Sequence, residues 1–378
     1  MMDAREAARY SRQIALPGVG KEGQERLKSG SVLVVGAGAL GSASSLYLAA
    51  AGVGRIGLVD ADTVDRSNLQ RQVLYGESNV GQPKLAAAAA RLRDLNPHLE
   101  IETHETWLDA SNALAIAEKY DVILDGADNF PARYLCNDTG FFLGKPVVHA
   151  SILRFAGQVS VFHPASGGPC YRCLLPISPA AGAVPTCAEA GVLGALPGIL
   201  GSLQAMEALK LLLGIGNPLT GRVLHYDALA GRTREIKLRK DPSCALCGAN
   251  PTIRSLTDVD PACGCALGNR ASGDEKEVPE ISCTELRALL DTGWNGLLID
   301  LREPSEHEAG HIGGSRLIPL GRLAEACEAL REMSETGREI ILHCQGGKRS
   351  AKGVLLLNEA GIPGVRHLRG GWLAWCGE

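Results

Sequence analysis

The chain has 378 residues, of which 45% are hydrophobic and 21% charged, a globular composition long enough for two or three domains. The formal net charge of −4 argues against nucleic acid as a direct partner, because phosphate binding requires a basic face. The N-terminus lacks a signal-peptide pattern, and the apolar stretch near residues 192–216 is interrupted by Gln204, Glu207 and Lys210. We therefore predict a packing helix there, no membrane contact and a cytoplasmic location.

Apolar runs alternate with helix-like segments over the first part of the chain. A helix is predicted from Pro83, and strands are predicted at 31–35, 55–60, 121–125 and 146–149. Strands that alternate with helices indicate a doubly wound parallel sheet of the α/β class. Residues 157–162 alternate like an antiparallel strand, so the predicted sheet is mixed.

The pattern restarts after a segment rich in glycine, proline, serine and charge. We interpret residues 249–280 as a linker, residues 1–248 as the first domain and residues 281–378 as a smaller α/β domain. In this second domain we predict helices at 282–291, 321–332 and from about 348, and strands at 296–300, 339–343 and 365–368.

A glycine motif follows the first predicted strand and opens a helix. Gly36, Gly38 and Gly41 permit a tight turn and a close approach of phosphate to backbone N–H groups. Asp60 ends the next strand, where a carboxylate accepts hydrogen bonds from a ribose. Taken alone, this pattern does not distinguish NAD from ATP, and it favours NAD.

The next polar segment favours a triphosphate. Arg71 lies in SNLQRQ, where a plain dinucleotide-binding unit would continue its helix, and Lys84 ends GQPK. Both can neutralise a triphosphate and a leaving pyrophosphate, although each alone could also be a solvated surface charge. Asp128 follows the strand at 121–125, at the ligand-binding edge of such a sheet, and suits Mg²⁺.

Two CxxC pairs lie far apart in the chain. Their four thiolates suit a closed, structural, tetrahedral Zn²⁺ site formed by Cys170, Cys173, Cys244 and Cys247. A competing set would replace the first pair by Cys263 and Cys265, whose CxC spacing chelates less well.

A second glycine-rich loop, CQGGKR, stands between a predicted strand and a predicted helix. Gly346 and Gly347 allow a tight loop with inward-pointing N–H groups, and Lys348 and Arg349 add positive charge. This environment stabilises a thiolate or persulfide on Cys344. A phosphatase also uses a Cys-loop-Arg arrangement, but its loop is typically one residue longer.

The chain over roughly residues 5–250 resembles the MoeB/ThiF-like adenylyltransferases, the bacterial relatives of ubiquitin-activating E1 enzymes. The resemblance is carried by RYSRQ, GAGALG, DADTVDRSNLQRQ, GQPK, DGADN, CYRC, TCAEAGV, GSLQAMEALK and CALC. It implies a Rossmann-like E1-type domain that uses ATP and Mg²⁺, holds Zn²⁺ and forms a homodimer. It also implies adenylation of the C-terminal glycine of a small ubiquitin-like sulfur carrier protein.

The resemblance assigns the nucleotide contacts. Asp60 would bind ribose and Asp128 the Mg²⁺, and Asn68, Arg71 and Lys84 would bind the phosphates. Arg12 would reach the ATP of the partner subunit. Ala39 stands where many family members have glycine, and it would make its contact through its backbone N–H. The full set of nucleotide-binding residues is Arg12, Gly36, Gly38, Ala39, Gly41, Asp60, Ser67, Asn68, Leu69, Gln70, Arg71, Lys84, Asp128 and Asn129, of which Arg71, Lys84 and Asp128 are expected to act in catalysis.

Cys187 matches the position of the family's crossover-loop cysteine. It lies in VPTCAEAGV, after the small and flexible run SPAAGA. A lone cysteine is usually a buried apolar residue, but these flanks are small or polar. We expect a catalytic role through a transient thioester or a disulfide.

Residues 278–378 resemble a rhodanese sulfurtransferase domain. The resemblance is carried by LLIDLREPSEHEAGHIGGSRLIPL, the CQGGKR loop and HLRGGW. It implies that Cys344 carries the sulfane sulfur, that Asp300 and Arg302 are structural and that His343 supports the loop strand. Gln345 stands where arginine is common, so the donor is left open between thiosulfate and a persulfide enzyme such as a cysteine desulfurase. The predicted persulfide loop is Cys344, Gln345, Gly346, Gly347, Lys348 and Arg349.

Together the two domains predict that a Cys344 persulfide displaces AMP from an adenylated carrier and that Cys187 then releases a thiocarboxylate. In an alternative order, Cys187 forms a thioester first. An NAD-dependent oxidoreductase with a redox-sensing rhodanese domain is the rival interpretation, and a non-catalytic scaffold that binds the carrier is a third.

Overall fold

The computed structural model describes residues 2–179, 190–257 and 278–377, apart from the side chains of Ser305 and Lys348. Two compact units are present, Met1–Asn269 and Arg270–Glu378. Cys187, Cys263, Cys265 and much of the predicted linker lie outside the described residues, and the predicted domain boundaries stay predictions.

The first unit is built on a mixed eight-stranded sheet. Its strands are β1 (Ser31–Val35), β2 (Arg55–Val59), β3 (Glu100–His104), β4 (Val122–Asp125), β5 (Val147–Leu153), β6 (Ala156–Phe162), β7 (Arg222–Asp227) and β8 (Arg232–Lys237). Their order is β3-β2-β1-β4-β5-β6-β7-β8, with parallel pairing up to β5 and antiparallel pairing beyond it. The predicted doubly wound mixed sheet is confirmed.

Helices cover this sheet and connect its strands. They are α1 (Ala4–Arg9), α2 (Ser11–Ile14), α3 (Gly20–Ser29), α4 (Ala39–Ala51), α5 (Lys84–Leu95), α6 (Ala113–Ala117), α7 (Phe130–Leu143), α8 (Tyr171–Leu174) and α9 (Ala195–Leu213). The central strand β1, SVLVV, is buried along its whole length, as expected of a parallel strand with both faces covered.

The long apolar helix α9 packs inside the unit, against α4, β5 and β6. By length and composition alone it could cross a membrane, but half of its most apolar window is buried in the fold. Gln204 Nε2 donates to the carbonyl oxygens of Asp125 (2.8 Å) and Val148 (3.1 Å), and Glu207 accepts from the backbone N–H of Leu219. These contacts identify α9 as a core helix that packs on the sheet and hydrogen-bonds to β4 and β5.

The second unit contains a five-stranded parallel sheet. Its strands are β9 (Glu280–Ile281), β10 (Leu297–Asp300), β11 (Arg316–Leu317), β12 (Ile340–His343) and β13 (Arg366–Leu368), in the order β11-β10-β12-β13-β9. Its helices are α10 (Cys283–Asp291), α11 (Pro304–Glu308), α12 (Cys327–Glu335), α13 (Lys348–Glu359) and α14 (Gly371–Gly377). Where one helix was predicted at 321–332, two short 3₁₀ turns precede α12.

Candidate active sites and metal centre

The glycine loop joins β1 to α4 at the carboxyl edge of the parallel strands. Gly36 has φ 89°, and a Cβ on Gly41 would lie 1.9 Å from the carbonyl oxygen of Gly36. The helix can therefore begin this close to the strand only if residue 41 is glycine. The first turn of α4, with Gly38 as its cap and Ala39 as its first residue, is the arrangement in which backbone N–H groups bind a phosphate.

Asp60 and Lys84 form a buried charged pair beside this loop, each with 6% of its surface exposed. Asp60 Oδ2 accepts from the N–H of Ala37 at 2.8 Å and lies 3.8 Å from Lys84 Nζ. Lys84 also contacts Asp62 at 3.0 Å, a partner that the sequence prediction missed although it stands in the same DAD segment. Burial raises the pKa of Asp60, and the Lys84 ammonium opposes this effect.

Two further residues at the loop were missed by the sequence prediction. Tyr75 donates from its hydroxyl to the carbonyl oxygen of Ala37 at 2.8 Å, and burial raises the pKa of this phenol, so it stays a donor. Gln72 is buried, and its Nε2 lies 3.9 Å from where a Cβ on Gly38 would stand. Among the described residues, its Oε1 has no hydrogen-bond partner, so we identify Gln72 as a further candidate ligand residue.

The segment 67–71 forms a compact turn next to the loop. Ser67 N–H donates to Asp65, and Asn68 Oδ1 accepts from the N–H of Asp65, so these side chains fix the turn. The half-buried Leu69 packs against the core of the first unit. A Cβ on Gly194 would lie 1.9 Å from the carbonyl oxygen of Gln70, so the chain entering α9 passes directly over this turn.

The remaining predicted nucleotide residues are exposed or half-buried. Arg71 donates to the carbonyl oxygen of Ser67 at 2.9 Å. Asp128 is exposed and accepts from the Asn129 side chain at 3.3 Å, while Asn129 Oδ1 caps α7. Arg12 is exposed on α2. The loop after β4 lies close to the glycine loop, because a Cβ on Gly36 would be 3.0 Å from the carbonyl oxygen of Gly126.

The four CxxC cysteines come together, with all sulfur atoms within 4.8 Å of one another. The Sγ–Sγ distances are 3.5 Å for Cys170–Cys244, 3.4 Å for Cys173–Cys247 and 3.9 Å for Cys170–Cys173. A tetrahedron with metal–sulfur bonds of about 2.3 Å has sulfur–sulfur edges of about 3.8 Å, so the cluster could hold zinc. Contact with Cys170 lowers the pKa of the Cys173 thiol, and the pKa of the Cys170 thiol rises in return.

Replacing Cys170 by serine is expected to remove bound zinc and to lower the melting temperature, because metal binding at such a site contributes directly to folding. Metal content and thermal unfolding of the purified variant measure both effects. Cys136→Ala is the matched control, since Cys136 is equally buried but lies outside the cluster. Retention of full zinc in Cys170→Ser would rule out the assignment.

Cys344 follows β12, and only 1% of its surface is exposed. Its sulfur accepts from the N–H of Ser350 at 3.3 Å. The loop backbone is held by α14, since Trp372 N–H donates to the carbonyl oxygen of Cys344 at 2.8 Å and Leu373 N–H to that of Gln345 at 3.0 Å. Gly347 has φ 89° and directly precedes α13, whereas Gly346 is exposed.

Two arginines beside this loop form ion pairs. Arg349 makes two hydrogen bonds to Glu306, at 2.8 and 2.6 Å. Arg302 pairs with Asp300, as expected for a structural residue, but it also donates to Gln345 Oε1 at 3.2 Å. The side chain of Lys348 is not described. A cavity of about 320 Å³ opens here, lined by Arg302, Glu306, Ala309, Gln345 and Trp372.

Comparisons with known proteins agree with this two-part arrangement. The ThiF family matches residues 10–246, and the rhodanese-like domain family matches residues 282–378. A probable adenylyltransferase/sulfurtransferase MoeZ of Mycobacterium tuberculosis is 45% identical over 98% of this chain and 93% of its own. The adenylyltransferase and sulfurtransferase MOCS3 of Sus scrofa is 42% identical over 99% and 86%.

A relative that matches 68% of this chain and a solved structure are also similar. The sulfur carrier protein adenylyltransferase of Thermus thermophilus is 54% identical over 68% of this chain and 97% of its own. The structure of Escherichia coli MccB with MccA-N7isoASN has a TM-score of 0.56 at 21% identity and covers 64% of this chain and 74% of its own, which shows the fold alone. Both predicted resemblances are confirmed: the chain belongs to the ThiF family and carries a C-terminal rhodanese-like domain.

Proposed function

We propose that the chain uses ATP to adenylate the C-terminal glycine of a ubiquitin-like sulfur carrier protein and then transfers sulfur to it from a Cys344 persulfide. One observation carries this proposal. The same chain contains a glycine loop beside the buried Asp60–Lys84 pair and, in its second unit, a cysteine at the start of a second glycine-rich loop. Relatives that span nearly the whole chain and are named for both activities support it, and they do not favour the NAD-dependent oxidoreductase.

The first step joins the carrier carboxylate to the α-phosphorus of ATP. The bond to the β-phosphate breaks, and pyrophosphate leaves. In this proposal Asp60 accepts from the ribose, and Lys84 and Arg71 stabilise the charge that develops on the leaving group. Asp128 would hold Mg²⁺, which supplies further neutralisation of phosphate charge when bound.

The second step replaces AMP by sulfur. The terminal sulfur of the Cys344 persulfide attacks the acyl-adenylate, AMP leaves, and an acyl disulfide remains. Cys187 then attacks the Cys344 sulfur of this bridge, releasing the thiocarboxylate and leaving a Cys187–Cys344 disulfide for a thiol reductant. In the alternative order, Cys187 displaces AMP first and forms a thioester.

The proposal also includes the surroundings of the reaction. A zinc ion in the four-cysteine cluster would be structural, and a homodimer would bring Arg12 to the ATP of the partner subunit. The sulfur donor would be thiosulfate or a persulfide enzyme such as a cysteine desulfurase. The proposed location is the cytoplasm.

Mass spectrometry of candidate carriers tests the proposal. After incubation with the protein, ATP–Mg²⁺ and a persulfide donor, the true carrier should gain one sulfur in place of one oxygen at its C-terminus. Omission of ATP is the control and should abolish the change. If no ubiquitin-like carrier ending in glycine acquires sulfur, the proposed function is wrong.

A further inference from the structure

A series of polar side chains in contact with one another leads from Cys344 to the surface of the second unit. Cys344 Sγ lies 3.5 Å from Ser350 Oγ, which lies 3.4 Å from His367 Nδ1. The other ring nitrogen of His367, Nε2, lies 3.3 Å from Glu280 Oε1. Ser350 and His367 are buried, whereas the Glu280 side chain is 45% exposed. The path therefore begins at a buried thiol and ends at water.

The fold builds this path from three elements. Ser350 lies in the first turn of α13, while His367 on β13 and Glu280 on β9 are direct register partners in parallel strands. The Ser350 hydroxyl donates to the carbonyl oxygen of Gly347 at 2.9 Å and can turn towards His367 Nδ1 instead, which leaves its oxygen free to accept the thiol proton. A serine placed in this way can pass a proton between its two neighbours.

We propose that Ser350, His367 and Glu280 form a proton relay that positions and activates Cys344 for loading with sulfur. The thiol proton passes through the Ser350 hydroxyl to His367 Nδ1, and Glu280 stabilises the imidazolium. The thiolate attacks the outer sulfur of a persulfide donor, so a new S–S bond forms on Cys344 and the donor's S–S bond breaks. The donor leaves as a thiolate and takes back the proton.

His367 is suited to accept this proton at neutral pH. Burial lowers the pKa of His367, and Glu280 opposes that effect. The neutral ring has the lone pair that accepts a proton, and Glu280 stabilises the imidazolium once the proton arrives. His343 does not compete, because burial lowers its pKa to about 4. The charged residues described on or beside these elements include Arg349, which pairs with Glu306, Arg366, which pairs with Glu339, and Arg369, which directly follows β13.

The pH profile of Cys344 alkylation in the full-length protein tests the relay. Iodoacetamide is the probe, and mass spectrometry follows the alkylation of the Cys344 peptide. The His367→Asn variant should keep a hydrogen-bond donor to Ser350 but lose the proton acceptor. In this variant the midpoint of the pH profile of Cys344 alkylation should rise by about one pH unit, which slows alkylation at pH 7 about tenfold. Ser350→Ala should give the same shift, and the double variant should add nothing to either single change.

Three comparisons make the result decisive. The exposed Cys376 reports the activity of the reagent in every sample. Glu339→Gln removes a different ion pair, the one with Arg366 on the strand of His367, and should leave the alkylation midpoint unchanged. Glu280→Gln, at a half-exposed position, should shift the midpoint in the same direction even if the buried variants do not fold. An unchanged midpoint in Glu280→Gln or His367→Asn, or additive shifts in the double variant, would overturn the relay. The relay rests on the proposed sulfur transfer, but this test uses neither ATP nor carrier, so each can fail separately.

Discussion

The Cys344→Ala variant is expected to catalyse carrier-dependent ATP–pyrophosphate exchange at the normal rate and to form no measurable carrier thiocarboxylate. In the proposed function, exchange requires only the glycine loop and its charged neighbours, all of which lie in the first unit. Sulfur transfer requires the nucleophile itself, and loss of a covalent nucleophile typically costs at least about a thousandfold in rate. Radioactive pyrophosphate exchange and mass spectrometry of the carrier measure the two activities separately.

The exposed Cys376 provides the matched control for this variant, since Cys376→Ala removes another thiol of the same unit. Both activities should survive in it. Thiocarboxylate synthesis by Cys344→Ala, with a persulfide as the sole donor, would show that sulfur reaches the carrier by another route. Loss of exchange in the same variant would instead show that the second unit is required for adenylation.

Lys84→Met is expected to lower pyrophosphate exchange by about a hundred- to a thousandfold, the usual effect of removing one group that stabilises developing charge. The ammonium is buried beside two carboxylates, Asp60 and Asp62, so its loss also removes the cation that pairs with both acids. We therefore expect a lower melting temperature as well. Lys84→Arg should restore little activity, because a planar guanidinium does not fit a site shaped for a compact ammonium.

Lys119→Met controls for the loss of a lysine, because Lys119 pairs with Glu102 at 2.8 Å on an exposed part of the same unit. Its exchange rate should equal that of the unmodified protein. ATP binding measured below the melting temperature separates a lost contact from a lost fold. An exchange rate within about threefold of normal in folded Lys84→Met would exclude Lys84 from the role assigned to it, since such a change is under about 1 kcal/mol.

The sheet of the first unit was largely predictable because its central strands are short β-branched runs that are buried on both faces. Strand β8, RTREIK, was missed because it is exposed along its whole length and carries no apolar pattern. In the second unit, the predicted helix at 321–332 begins as 3₁₀ turns at Leu320–Arg322 and Ala324–Ala326. Apolar periodicity over so few residues does not distinguish i→i+3 from i→i+4 bonding.

The candidate sites were predictable where local spacing determines the chemistry. Spacing alone is enough to recognise two CxxC pairs as a candidate metal site and a cysteine before a glycine loop as a candidate persulfide site. Gln72 and Tyr75 could not be identified because their contacts with the glycine loop arise from the chain folding back over it. His367 and Glu280 are separated in sequence by most of the second unit. Their pairing depends on the register of β13 against β9, which local sequence patterns do not reveal.

The close approach at Gly41 has a consequence for genetic selection. Its missing Cβ would meet the backbone carbonyl of Gly36, an atom that every amino acid carries in the same place. At Gly57, by contrast, an added Cβ would meet the Tyr120 side chain, which a smaller residue could replace. Substitutions at Gly57 can therefore have second-site suppressors at position 120, whereas a substitution at Gly41 has none available at position 36.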